Sequence, residues 1–205
     1  MKNVFDLYPE EYDNWFSKHT FAYLTELLAL KKAVGISKRG IEIGIGTGRF
    51  AQMLEIPYGI DTAFQMLKIA KVRGCNVALA DARKLPFKND EFGYALLMVT
   101  LSFVRNPKGV IREAKRILAE DGKLIIGIID KNSKLGRLYR KKESVFYESA
   151  RFFSADRVIR FLRENKFHSI KTLQTLFDDP AKMQGIEKVK KEYGKGSFVV
   201  IAGIK

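Results

Sequence analysis

The sequence predicts an α/β fold: a mostly parallel, seven-stranded sheet with its last strand antiparallel and helices on both faces. Three observations carry this. Short apolar runs alternate with segments of helical periodicity, the order that builds parallel sheets. Two of the runs, Ala95-Leu96-Leu97-Met98-Val99 and Leu124-Ile125-Ile126-Gly127-Ile128-Ile129, are apolar on both faces, as central strands covered from both sides must be. The C-terminal stretch instead holds two strand-like runs, 170–176 and 197–204, joined by a polar link over 178–196, which suggests an antiparallel hairpin at the sheet edge.

The elements follow in order. Residues 19–34 read as an amphipathic helix with Phe21, Leu24, Leu27 and Leu28 inward and Gly35 as its stop. Strands are expected over 40–44, 56–61, 76–81, 92–100 and 122–130. Thr62 and Gln65 have capping-box spacing; Met66, Leu67 and Ala70 follow at helical spacing, and Gly74 stands where a left-handed stop belongs. A helix over 107–120 carries Val110, Ile111, Ala114, Ile117 and Leu118 on one stripe before Asp121-Gly122 turns the chain. Ser154 is the N-cap of a helix ending near Asn165, with Phe153 and Val158 placed for a hydrophobic staple.

At 205 residues the chain has the length of one domain. Its single cysteine, Cys75, excludes an intramolecular disulfide framework and a cysteine-based zinc site, and no metal is expected. No apolar run approaches the roughly 20 residues that span a membrane, and the N-terminus lacks a signal-like apolar core, so a cytoplasmic protein is expected. The balance of 37 Lys+Arg against 23 Asp+Glu, net +14, gives a surface that attracts polyanions and steers anionic substrates. It also fits a plain lysine-rich solvated surface.

The most informative stretch is Glu42-Ile43-Gly44-Ile45-Gly46-Thr47-Gly48, which closes the first strand and opens a helix. Alternate glycines let a backbone turn sharply and approach a ligand closely. Arg49 occupies the position of the third glycine of the dinucleotide fingerprint, so a nicotinamide enzyme is disfavoured, and the phosphate-loop pattern is absent too. Glu42 beside the loop would repel a phosphate. Asp61 ends the second strand, placed to accept hydrogen bonds from a ribose diol or to cap the following helix, and Asp81 with Ala82 ends the third. Acids around a glycine turn suit a ligand with a ribose, an adenine and a positive charge.

The chain resembles the class I S-adenosylmethionine-dependent methyltransferases, of Rossmann-like fold, in the type-11 branch that includes quinone-biosynthesis enzymes. The resemblance rests on the E-I-G-I-G-T-G loop, Gly59-Ile60-Asp61, Asp81-Ala82 with Leu85-Pro86-Phe87, and Glu113-Ala114-Lys115-Arg116-Ile117-Leu118 running into Asp121-Gly122-Lys123-Leu124. It implies S-adenosylmethionine as cofactor and the following roles. Gly44, Gly46 and Gly48 pass under its methionine part and ribose. Glu42 supports the loop or meets the ammonium through water. Asp61, with Thr62 after it, takes the ribose diol. Met66 lies near the adenine or is ordinary core. Asp81 accepts from the adenine amino group beside the Ala82 N–H. The backbone of Met98, Val99 and Thr100 faces the methionine end. Tyr8, Tyr12 and Trp15 resemble the family's N-terminal lid, which divides the chain into a helical lid segment, 1–35, packed on a cofactor-binding domain, 36–205.

The chain departs from the family at Gly93, where relatives often carry an acid, and at Ser102-Phe103, where they often carry histidines. No general base is evident, so the catalytic residue is left unassigned. Holding nucleophile and methyl in line can supply much of the acceleration without one. The basic stretch Lys131, Lys134, Arg137, Arg140, Lys141 and Lys142, with no acid among it, is either an anion-binding surface or a solvated one. The expected acceptor is a small molecule; an RNA or ribonucleoprotein acceptor and a non-catalytic cofactor-binding protein are the alternatives. The oligomeric state is not legible.

Overall fold

A computed structural model of the chain describes residues 4–35 and 39–205. The expected boundary at 35/36 lies at the edge of the undescribed 36–38. Three helices open the chain, α1 (Val4–Leu7), α2 (Pro9–Lys18) and α3 (Thr20–Val34). The alternating part follows: β1 (Gly40–Ile43), α4 (Arg49–Met53), β2 (Tyr58–Asp61), α5 (Phe64–Val72), β3 (Asn76–Leu79), β4 (Phe92–Met98), a 3₁₀ turn (Thr100–Phe103), α6 (Pro107–Ile117) and β5 (Leu118–Ile129). Then come α7 (Lys134–Tyr139), α8 (Ala155–Glu164), β6 (His168–Thr175), β7 (Lys190–Lys191) and β8 (Phe198–Ile204).

The sheet order is β3-β2-β1-β4-β5-β8-β6-β7. Strands β3 to β5 are parallel neighbours, and β8 runs antiparallel to both β5 and β6. Seven strands match the expected set, and the two-residue β7 adds an eighth on the outer edge of β6. The last strand is antiparallel as expected, but it is not an edge. It inserts between β5 and β6 because its run Phe198-Val199-Val200-Ile201 is 0–1% exposed and needs neighbours on both sides, while β6 is half-exposed along most of its length. Side-chain parity along β5 separates the two cores: Leu124, Ile126 and Ile128 face α6 and α8, and Ile125 and Ile129 face α3.

Local chemistry departs from the sequence reading in three places. The buried face of α3 is wider and rotated: Ala22, Tyr23, Thr25, Glu26, Leu27, Ala29 and Leu30 are buried, while Phe21 is 41% exposed. The helix is covered by α2 on one side and by β5, β6 and β8 on another, so a single apolar stripe does not describe it. Thr62 is not the cap of α5. Asp61 Oδ1 instead accepts from Ala63 N–H at 2.9 Å, and Asp6 Oδ1 of α1 accepts from Gln65 N–H at 3.0 Å. Helix α6 ends at Ile117, because Leu118 already pairs with Phe92 as strand. The stop of α5 is as expected: Gly74 (φ 86°) is left-handed, with Gly74 N–H donating to Lys71 and Cys75 N–H to Ala70 in a Schellman arrangement. Ser154 likewise caps α8, its Oγ accepting from Arg157 N–H.

Candidate active site

The strand order reverses between β1 and β4, and at such a switch point the loops leave the carboxyl ends in opposite directions and open a crevice. Here that crevice is a cavity of about 890 Å³. Gly44, at φ 78°, could carry a side chain only with strain, and its Cβ would stand 2.4 Å from Thr100 Cγ2. Thr100 Oγ1 in turn donates to Ile43 O at 2.9 Å, tying the end of β4 to β1. Gly46 faces the Tyr12 ring, 3.5 Å from where its Cβ would be. Asp61 holds the loop: Oδ2 accepts from Gly46 N–H and Oδ1 from Ala63 N–H, both at 2.9 Å. Burial raises the Asp61 pKa, and these backbone hydrogen bonds oppose it.

The structure separates the sequence-predicted residues into two groups. Gly44, Gly46, Asp61, Thr62, Met66, Asp81, Ala82, Met98, Val99 and Thr100 line the cavity. Glu42 and Gly48 do not. Glu42 is 1% exposed and sits behind the loop, its Oε2 accepting no hydrogen bond among the described residues. Burial lifts its pKa well above the usual range. Of its two expected roles, loop support fits this position. Gly48 packs the loop onto α5: its Cβ would lie 3.0 Å from Ala70 Cβ and 3.2 Å from Cys75 Sγ. Its glycine is required by packing and by φ 79°. Asp81 is gripped by Arg83, with Nη2 at 2.6 Å, and this pairing lowers its pKa. Val99 takes a left-handed φ of 58° at the cavity wall, a costly conformation for a β-branched residue.

The N-terminal helices cross this crevice. Phe5 of α1 meets Phe103 edge-on at 4.9 Å and Phe146 at 5.7 Å on the far side. Asp13 of α2 binds two guanidinium groups, Arg49 (2.7 and 2.9 Å) and Arg73 (2.7 and 2.8 Å). Arg73 also donates to Thr47 O in the glycine loop at 2.6 Å. Burial of Asp13 works against its ionisation, but the hydrogen bonds from Arg49 and Arg73 prevail and hold its carboxyl well below the usual range. Arg49, which breaks the dinucleotide fingerprint, is thus an anchor between the loop and α2.

Comparison with known proteins agrees with this geometry. The profile of the family described as "Methyltransferase domain" matches residues 41–126. A crystal structure from Thermotoga maritima, described as a SAM-dependent methyltransferase, "possible histamine N-methyltransferase", is 45% identical, with a TM-score of 0.97 and full coverage of both chains. The chain belongs to the S-adenosylmethionine-dependent methyltransferases. An uncharacterized protein of Methanocaldococcus jannaschii is 47% identical over 99% of both chains. A phosphatidylethanolamine N-methyltransferase of Cereibacter sphaeroides is 26% identical over 59% of this chain and 67% of its own.

The cofactor of this methyltransferase is S-adenosylmethionine. The site fits it: carboxylates of Asp61 and Asp81 border the cavity, and the loop approaches without a phosphate-binding lysine. Glu26 of α3, Tyr139 of α7 and Tyr147 line the same cavity as Tyr12. Sequence reasoning missed Glu26, although an acid within Thr25-Glu26-Leu27-Leu28 of an apolar helix was a signal. It also missed Arg83, Phe146 and the Asp13 clamp, whose members have no local pattern. Neither histidine lines the cavity: His19 bonds Trp15 O at 2.8 Å, and His168 is exposed beside Ser169. None of the helices described is long and apolar enough to cross a membrane. No metal-binding cluster of His, Cys, Asp or Glu occurs among the described residues.

Proposed function

We propose that this methyltransferase is a cytoplasmic enzyme acting on a small molecule, and that residues 1–35 form a lid over the cofactor-binding domain, 36–205. The observation that carries the small-molecule reading is the cavity itself, lined on its N-terminal side by Phe5, Tyr8, Tyr12 and Trp15. Its volume of about 890 Å³ lies within the roughly 300–1,000 Å³ usual for small-molecule sites. When bound, the cofactor supplies an electrophilic methyl on a sulfonium.

The chain's residues do the rest. Asp61 keeps lone pairs for the ribose diol beyond those used by Gly46 and Ala63, since a carboxylate offers about four acceptor sites. Asp81 and the Ala82 N–H take the adenine edge, with Thr62 and Met66 beside them. Gly44, Gly46 and the backbone at Met98, Val99 and Thr100 line the methionine end; Glu42 and Gly48 stiffen the loop from behind. The aromatic lid excludes water and fixes the acceptor, so that line and distance are set before reaction. One relative is described as a "possible histamine N-methyltransferase" and another is named a phosphatidylethanolamine N-methyltransferase, which makes nitrogen the first acceptor atom to try. Calorimetry with S-adenosylmethionine and S-adenosylhomocysteine, then a labelled-methyl screen of a metabolite pool beside structured RNA, tests both levels. Labelled RNA with an unlabelled metabolite pool would reverse the small-molecule reading.

An RNA acceptor is the second reading. Its support is that Arg83, Arg105 and Lys142 line the cavity. In addition, the cations of 131–142 are exposed and form no ion pair among the described residues.

A further inference from the structure

Glu26 is a buried acid whose burial nothing in the fold repays. It is 3% exposed, lies on the cavity wall, and makes no hydrogen bond or ion pair among the described residues. Burial pushes its pKa up to about 8. The titratable groups that face it are phenols: Tyr12 from α2, Tyr139 from α7, and Tyr147. Burial raises the pKa of all three, so they remain neutral across the physiological range. The Tyr139 and Tyr147 rings stack at 4.8 Å with 18° between planes and line the same cavity as Glu26. An unpartnered polar group in such a chamber is costly, and an apolar residue there would serve packing better. A ligand that supplies a donor and a positive charge removes the cost, and aromatic faces favour the same kind of ligand.

We propose that Glu26 binds the acceptor and receives its proton, and that the acceptor is a primary or secondary amine with an apolar body. This rests on the small-molecule reading above. As the ammonium enters, the Glu26 carboxyl releases its resting proton to solvent and pairs with the cation, and the ammonium then gives one proton to the carboxylate so formed. The nitrogen lone pair so freed forms the C–N bond while the S–CH₃ bond breaks and its electron pair goes to sulfur. The product leaves as a methylammonium, and the proton on Glu26 passes to solvent. A carboxyl near 8 lies about two to three units from an alkylammonium, whereas an exposed glutamate lies about six units away. The shift makes the proton transfer accessible, as expected of a tuned acid–base group.

The test is calorimetry on the full chain loaded with S-adenosylhomocysteine, with methylamine, butylamine and 2-phenylethylamine as probes and 2-phenylethanol and phenylacetate as controls. At least one amine is expected to bind, more tightly than either control and with proton release at pH 7. Glu26→Gln is expected to weaken that amine by about tenfold or more while S-adenosylhomocysteine affinity is unchanged. Glu26→Met fills the site without a charge; it should raise the thermal midpoint and lose amine binding. Equal amine binding by wild type and Glu26→Gln would overturn the proposal, as would failure of every amine, or controls that bind as well as the amines. These results leave the methyltransferase reading standing, because cofactor-product binding is measured in the same cell. Loss of that binding in wild type would instead remove the cofactor site.

Discussion

Replacing Asp13 by Asn should loosen the N-terminal helices from the glycine loop without unfolding the sheet. The carboxylate accepts from two guanidinium groups through contacts of 2.7–2.9 Å. The side chains of Asp13, Arg49 and Arg73 are 15%, 20% and 19% exposed. Breaking a fully buried ion pair by removing one partner costs about 3–5 kcal/mol. Partial exposure of this cluster and the acceptor oxygen retained by Asn reduce that to about 2 kcal/mol, the scale of one or two charge-assisted hydrogen bonds. The loss also leaves Arg49 and Arg73 as uncompensated like charges. Urea unfolding should show the drop in stability, and limited proteolysis should show faster cleavage within residues 4–34 than in the sheet. The sign of the pH effect follows from the depressed folded-state pKa of Asp13. Its contribution is present above the unfolded value near 4 and is lost as pH falls through the lower folded value. The variant should therefore lack this part of the wild-type acid dependence. Unchanged urea midpoint and unchanged proteolysis at pH 7 would refute the clamp.

How far the sequence could be read depended on how local each signal is. The glycine loop, Asp61, the Gly74 stop and the Ser154 cap are set by residues within a few positions of one another, and they were legible. The Asp13 clamp joins positions 36 and 60 residues apart, so nothing near Asp13 announces it. Arg49 was read only for what it broke. Gly48 shares its spacing with Gly44 and Gly46, and spacing cannot tell a glycine that borders the cavity from one that packs on Ala70 and Cys75. Glu26 was missed because a single apolar stripe was assumed for α3, and a helix covered from two sides buries polar positions as well. The insertion of β8 between β5 and β6 was foreshadowed by the unbroken apolar run Phe198–Ile201, but pairing partners are a tertiary choice.

Other variants separate the remaining roles. Asp61→Ala should weaken S-adenosylhomocysteine by about 1.5–3 kcal/mol, read by calorimetry. Asp61→Asn should lose less, because one oxygen still accepts from the loop; equal affinity in folded Asp61→Ala would remove the ribose role. Gly46→Val should abolish cofactor binding, its branched side chain meeting Tyr12 at a position of φ 54°. Gly48→Ala should instead lower the melting temperature, with cofactor affinity in the surviving folded protein nearly kept; the reverse pattern would place Gly48 in the site. The basic stretch decides between acceptor classes. Arg137, Arg140, Lys141 and Lys142 are exposed, and the acids that would hold the cofactor lie on other loops. Arg137, Arg140 and Lys141 do not line the cavity, so neutralising them should leave cofactor affinity alone, whereas Lys142, which does line it, is replaced separately. If these cations contact RNA, the salt slope of binding should flatten by about 0.7–0.9 per lost phosphate contact. With a small-molecule acceptor, RNA binding is weak, non-specific and largely gone at moderate salt. Sub-micromolar RNA affinity near physiological ionic strength, lost on this neutralisation, would put RNA first, because an incidental basic surface supplies only the salt-sensitive part of binding.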